Sequence, residues 1–149
     1  MEARKADTLA MLSAPEMDVW VASASVSDTG SARAHLVPVS LAWIAERVVI
    51  AVESDSRTAR NVAECGTVRL ALGPTRDVVI IDAALDQVLS LDAAPVDLAE
   101  KYADQTNWDP RSAGGGFVYV VLRPDRIQAW RETNEIAGRT LMRAGRWLV

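Results

Sequence analysis

The sequence predicts a small, mainly β protein with minor helix, an antiparallel barrel of about six short strands interrupted by brief helices. Two observations carry this. Apolar runs of strand length recur between turn-forming clusters, and segments with helical spacing are few and short. A third observation sets the size: 149 residues, half of them apolar and 24% charged, make one domain over 1–149 able to bury its own core.

Taken in order, residues 7–13 have amphipathic helical spacing that Pro15 stops. The run MDVWVASASV, 17–26, mixes β-branched and aromatic residues in partial alternation, and Asp28-Thr29-Gly30-Ser31 supplies a turn before a second run, 34–42. A hairpin follows from that pairing. VVIAV, 48–52, is a third buried strand. Ser54-Asp55-Ser56 then offers capping side chains to a helix over 58–65 that ends at Gly66. Strands over 68–72 and 78–91 flank the turn Gly73-Pro74-Thr75, a helix covers 97–102, and 107–116 is a glycine-rich loop. The runs 117–122 and 126–130 read as a closing hairpin turning at Arg123-Pro124-Asp125. Residues 131–149 form a C-terminal arm.

Composition narrows the functional classes. One cysteine, Cys65, excludes an intrachain disulfide, and with His35 the sole histidine a zinc centre is not expected. The net charge of −4 argues against sequence-independent nucleic-acid binding. The start of the chain does not read as a secretory signal and no run is long and apolar enough to span a membrane, so a cytoplasmic location is expected.

The chemistry-bearing stretch is Ser54 to Asn61, where a strand hands over to a helix. A helix start leaves backbone N–H groups unpaired and partly positive, and arginine forks match phosphate oxygens. Arg57 and Arg60 with the hydroxyls of Ser56 and Thr58 therefore suit an anion. A capped surface helix with solvated arginines has the same local sequence.

In order and spacing, VWVASAS, HLVPVSLAW (35–43), VVIAVESDSRTARN (48–61), VRLALG (68–73) and RPDRIQAW (123–130) resemble the pyridoxamine 5′-phosphate oxidase-like flavoproteins and their actinobacterial deazaflavin-using relatives. The resemblance implies an FMN-binding type of split β-barrel, with Ser56, Arg57, Thr58, Arg60 and Asn61 at the cofactor phosphate; Thr58 stands where that family carries a lysine. It also implies that strand residues Val37, Pro38, Val39 and Ser40 meet the polar edge of the ring, and that Trp130 of a neighbouring copy approaches it. The expected protein is a homodimeric oxidoreductase. It would hold FMN, or alternatively the deazaflavin coenzyme F420, in the groove between subunits and pass hydride to or from a small molecule. A barrel that binds or sequesters a cofactor or haem without turnover is the alternative. No catalytic side chain is assigned, because the cofactor carries the redox chemistry.

Other residues have plainer readings. Alternation sends Leu36, Pro38 and Ser40 to one face and Val37, Val39 and Leu41 to the other. Pro38 serves either as an edge guard or as a place where a ligand reaches backbone. His35 reads as a turn-edge residue, Cys65 as a small buried apolar one, Trp43 as core or dimer packing, and Asp82 with Asp86 as a solvated face. Gly114-Gly115-Gly116 precedes a strand, so it is a loop and not a dinucleotide fingerprint. Arg131, Arg139, Arg143 and Arg146 of the arm either reach a cofactor anion or cover apolar surface with their stems.

Overall fold

A computed structural model describes residues 1–149. Its elements are α1 (Glu2–Leu12), β1 (Asp18–Val26), β2 (Ala32–Ile44), β3 (Arg47–Glu53), α2 (Arg57–Cys65), β4 (Thr67–Leu72), β5 (Val78–Ser90), α3 (Val96–Thr106), β6 (Phe117–Trp130), β7 (Thr140–Arg143) and β8 (Arg146–Trp147). Strands pair in the order β3-β2-β1-β4-β5-β6, and β3 also pairs with β6, so six antiparallel strands close on themselves as expected. Closure leaves each strand one face toward the interior. The alternating residues Val19 and Val21, Leu70 and Leu72, Val79 and Ile81 are buried there with Leu41, Ile50, Leu122 and Ile127. Each such side chain contributes about 1.5–3 kcal/mol of burial.

Turn chemistry sets the registers. Gly30, with φ 80°, closes the β1–β2 turn through its N–H to the Ser27 carbonyl at 2.9 Å. The β2–β3 turn uses Ala45 and Glu46, both left-handed at φ 49° and 57°, a twist-matching two-residue turn made without glycine. Gly73 cannot be replaced cheaply, because a Cβ there would lie 2.4 Å from the Asp77 carbonyl oxygen.

The expected closing hairpin at Pro124 is not formed. β6 runs unbroken from Phe117 to Trp130. Pro124 is tolerated because β3 pairs with β6 only up to Leu122 and β7 pairs with it only from Ile127, so the ring sits where one partner has left and the next has not arrived. A register shift opposite Asp82 and Ala83 absorbs the extra residue as a bulge at Asp125. The chain beyond Trp130 folds back on its own barrel, through a 3-10 turn at Thr133–Gly138 and the hairpin β7–β8 against β6.

Helices cover the barrel. α1 is longer than 7–13 predicts, starting at Glu2, and seats Leu12 in the core. α3 continues past Tyr102 to Thr106 and packs Ala99 and Tyr102 on Ala42, Val49, Ala51, Tyr119 and Val121, the outer face of β2, β3 and β6. Burial pushes the Tyr102 hydroxyl well above its ordinary range. Gln105 joins three elements: its Oε1 accepts from Trp43 N–H at 2.8 Å, and its Nε2 donates to the carbonyls of Leu12 at 2.8 Å and Ala14 at 3.3 Å. A cluster of charges fastens both ends of the chain. Arg4 lies 2.8 Å from Asp77, and Arg131 lies 3.0 Å from Asp7 and 3.3 Å from Asp77.

Candidate functional site at the split between two strands

β2 pairs with β1 from Ala32 to Ser40 but with β3 only from Leu41 to Ile44. From Ser40 back to Ala32 its second edge therefore meets no strand, and the barrel is split there. Pro38 lies on this unpaired edge, where a missing N–H costs nothing. Side chains of Val37 and Val39 pack toward the core, whereas Leu36 is 59% exposed on the other face and Pro38 is exposed beside it.

Backbone direction follows from one hydrogen bond. Leu41 N–H reaches the Met17 carbonyl on the β1 side at 3.0 Å. Because successive residues of a strand alternate their bonding direction, Val37 and Val39 also turn their peptide groups to β1. Leu36, Pro38 and Ser40 turn theirs to the open edge. Of the four expected strand residues, the split thus presents backbone groups of Pro38 and Ser40, together with Leu36, which was not expected. Period-two alternation, once anchored to a neighbouring strand, identifies it. The Ser40 carbonyl has one neighbour on this side, the Tyr102 hydroxyl at 3.4 Å.

α2 touches β1, β2 and β3. It leaves the end of β3 and must reach β4, and the sheet order places β2 and β1 between them, so the helix crosses beneath both strands. Its start is built as the sequence predicts. Ser56 caps it, the side chain accepting from Ala59 N–H at 3.2 Å, and Gly66 ends it at φ 72°. Arg60 N–H donates to the Ser56 carbonyl at 3.1 Å. That leaves the N–H groups of Arg57 and Thr58, in the first turn, without an intrahelical acceptor.

The helix sorts its side chains sharply. Thr58 and Asn61 are each only 3% exposed and face the barrel, Asn61 donating to Ser23 Oγ at 3.1 Å. They hold the helix in place. Arg57 and Arg60 face outward, and neither has a carboxylate within 4.0 Å. The anion-matching groups at this junction are therefore two unpaired guanidiniums, two free backbone N–H groups and the Ser56 hydroxyl. Thr58 adds its backbone but no side-chain charge.

Trp130 lies elsewhere in the chain. The end of β3 that feeds α2 pairs with the beginning of β6, at Glu53 and Phe117, whereas Trp130 closes β6 at the far end of the barrel, opposite Val78. The Arg139 guanidinium stacks 5.7 Å from its ring centre. Arg131 belongs to the charge cluster with Asp7 and Asp77. Arg143 and Arg146 face each other across the β7–β8 turn with no carboxylate within 4.0 Å.

The remaining candidates separate by environment. His35 is half-buried, opposite Ser23. Cys65 is not the buried residue expected: it is exposed at the last position of α2, its thiol donating to the Ala24 carbonyl at 3.1 Å. Asp82 and Asp86 do not act together. Asp82 bonds Arg69 at 2.6 Å and Asp86 bonds Arg47 at 3.1 Å, and the β5 bulge at Asp86 breaks the alternation. No group of three or more His, Cys, Asp or Glu side chains is arranged to hold a metal, and no helix is long and apolar enough to cross a membrane. A groove of about 670 Å³ runs across β1, β4 and β5, beside the end of α2. It is divided from the split only by the β1–β2 pairing, Ala22 standing opposite Leu36, and the sequence did not signal it.

No family model matches the chain, and no curated protein does. Solved structures do. An F420 reductase superposes with a TM-score of 0.58 at 14% identity, covering 79% of this chain and 93% of that one. A Listeria innocua protein described as a candidate pyridoxamine 5′-phosphate oxidase gives 0.61 at 13%, covering 86% and 98%. A haem-binding protein from Mycobacterium smegmatis gives 0.63 at 17%, covering 97% of this chain and 58% of that longer one. With six strands closed as a barrel and open between β2 and β3, the chain has the split-barrel fold of the pyridoxamine 5′-phosphate oxidase-like proteins.

Proposed function

We propose that two copies of the chain bind a phosphorylated flavin or deazaflavin at the split, as a cofactor-dependent oxidoreductase acting on a small organic molecule in the cytoplasm. One observation carries the reading. The longest stretch of barrel strand left without a second neighbour, 32–40, belongs to a strand that α2 touches, and the start of α2 carries unpaired guanidiniums. In this assignment Arg57, Arg60, Ser56 and the backbone of Thr58 hold the phosphate, and Asn61 holds the helix. The peptide groups of Leu36, Pro38 and Ser40 meet the hydrogen-bonding edge of the ring, while Val37 and Val39 support that strand from inside. FMN asks only for this compact anion site; coenzyme F420, whose tail is also anionic, is the alternative.

The bound cofactor would supply hydride transfer; the protein's part is to grip, orient and shield it. The dimer is supported by an outward apolar patch on β1 and β2, where Trp20 is 48% exposed and Leu36 59%, next to Pro38. A second copy also offers a Trp130 that cannot reach the split of its own chain. A second reading, binding or storage of a cofactor or haem without turnover, draws on Thr58, which brings no cation, and on the haem-binding neighbour.

Titration of the purified protein with FMN, coenzyme F420 and haemin, followed by absorbance and by sedimentation mass, tests both. Saturable uptake of FMN or F420 by a species of twice 16.1 kDa is expected. A monomer, or a protein that takes neither, overturns the first reading, and uptake of haemin alone selects the second.

A further inference from the structure

The groove on the outer side of β1, β4 and β5 has a division of surfaces that suits a ligand of its own. Its outward-facing walls are small, with Ala22 and Ala24 from β1, Thr67 from β4 and Ala84 from β5. Among these, Arg69 is set in a defined posture. Only its Nε is engaged, by Asp82 Oδ1 at 2.6 Å, and the bond raises the guanidinium's pKa above its ordinary value. The register explains the posture: Arg69 on β4 stands directly between Ala22 of β1 and Asp82 of β5, one row across the sheet. With Nε tied back to Asp82, the two terminal nitrogens, bonded to nothing in the chain, are left as a fork. A planar fork held by a carboxylate behind it is the arrangement that takes a second carboxylate in front.

Other charges near the groove have to be reckoned with. Asp82 is itself shared, lying 4.0 Å from Arg126, so Arg69, Arg126, Asp82 and Asp125 are neutral in sum and the free positive edge is that of Arg69. Asp125, at the β6 bulge beyond Asp82, is the other acid of the lining; the row that Arg69 and Asp82 share continues to Arg126. An anion entering over β1 and β4 meets Arg69 first.

We propose that this groove is a binding site for a small carboxylate with an apolar body. The body rests on the alanine walls and the carboxylate takes the free edge of Arg69. The groove is lined by the end of α2 and not by its start, so it is separate from the anion site of Arg57 and Arg60; through Ala22, opposite Leu36, it adjoins the outward apolar patch of β1 and β2.

The protein carries its own reporter. Cys65, the single cysteine, is exposed on the wall of the groove. The rate at which the uncharged reagent 4,4′-dithiodipyridine modifies it would be followed on cofactor-free protein against increasing benzoate, with benzylamine as the cationic control of the same shape. Benzoate is expected to slow modification at least threefold in a saturable manner, and benzylamine not to. Arg69→Gln, at an exposed side chain that leaves the core untouched, should weaken the benzoate effect at least tenfold. Ala84→Phe, which fills the groove and keeps the ion pair, should abolish it. Equal protection by benzylamine, protection unchanged in Arg69→Gln, or no saturable protection in the wild-type protein would each overturn the proposal. Failure to bind FMN or F420 would leave it standing.

Discussion

The anion site at the start of α2 leads to a double substitution whose magnitude can be worked out. Arg57 and Arg60 sit on the solvent side of the helix with no carboxylate partner, so their removal breaks no internal contact and the fold should be unaffected. Any loss of ligand affinity then reports the ligand. A charge-assisted hydrogen bond contributes about 1.5–3 kcal/mol, and exposure keeps each guanidinium near the lower end, so the pair amounts to about 3 kcal/mol. At 1.4 kcal/mol per decade, the Arg57→Ala/Arg60→Ala protein should bind FMN roughly a hundredfold more weakly. Riboflavin, which has the ring and no phosphate, is the internal control. Flavin fluorescence quenching would be titrated for both ligands on both proteins at fixed ionic strength, because exposed charges are screened by salt. The reasoning predicts a large loss for FMN and almost none for riboflavin. An equal loss for both ligands would show a general distortion, and an unchanged FMN affinity would remove the phosphate from α2 altogether.

Three further outcomes follow from other parts of the molecule. Gln105→Ala removes three hydrogen bonds and leaves Trp43 N–H without an acceptor; it should cost about 2–4 kcal/mol, read as a lower urea midpoint at constant slope, and a change below about 0.5 kcal/mol would contradict the linking role. Burial would push the Asp77 carboxyl up, but the hydrogen bond and charge of Arg4, with Arg131, outweigh it and hold the group below its ordinary value. Its folded state therefore binds fewer protons than the unfolded one, so its stabilisation is complete above about pH 4 and is lost as pH falls through the lowered value. Thermal midpoints between pH 7 and 2.5 should fall more steeply for the wild-type protein than for Asp77→Asn, and parallel curves would refute this. Trp130→Ala should change the fluorescence of flavin bound to the dimer, and an identical spectrum would take Trp130 out of the site.

Much of this architecture was legible because the signals are local. The first five strand runs with their turns, Ser56 before α2 and Gly66 after it are chosen by steric and hydrogen-bonding preferences within a few residues, and the structure has them where the sequence places them. Helix ends were less legible. α3 extends beyond its sequence signal to Thr106, which is buried, and α1 begins at Glu2, where Arg4 is held by Asp77 from a distant turn; their own neighbours in sequence reveal neither.

The amino-acid sequence alone determined a six-stranded antiparallel barrel with one capped helix inserted after the third strand, since period, caps and turns are properties of short segments. Tertiary structure decided whatever depends on partners distant in the chain. It carried β6 straight through Pro124, because two neighbouring strands leave that residue an unpaired place. It turned Thr58 and Asn61 inward while leaving Arg57 and Arg60 outside, because α2 must cross beneath β2 and β1 to reach β4. It also left one edge of β2 open, because β3 parts from it at Leu41 to close the barrel on β6, and no local pattern states which edge of a strand will find a neighbour.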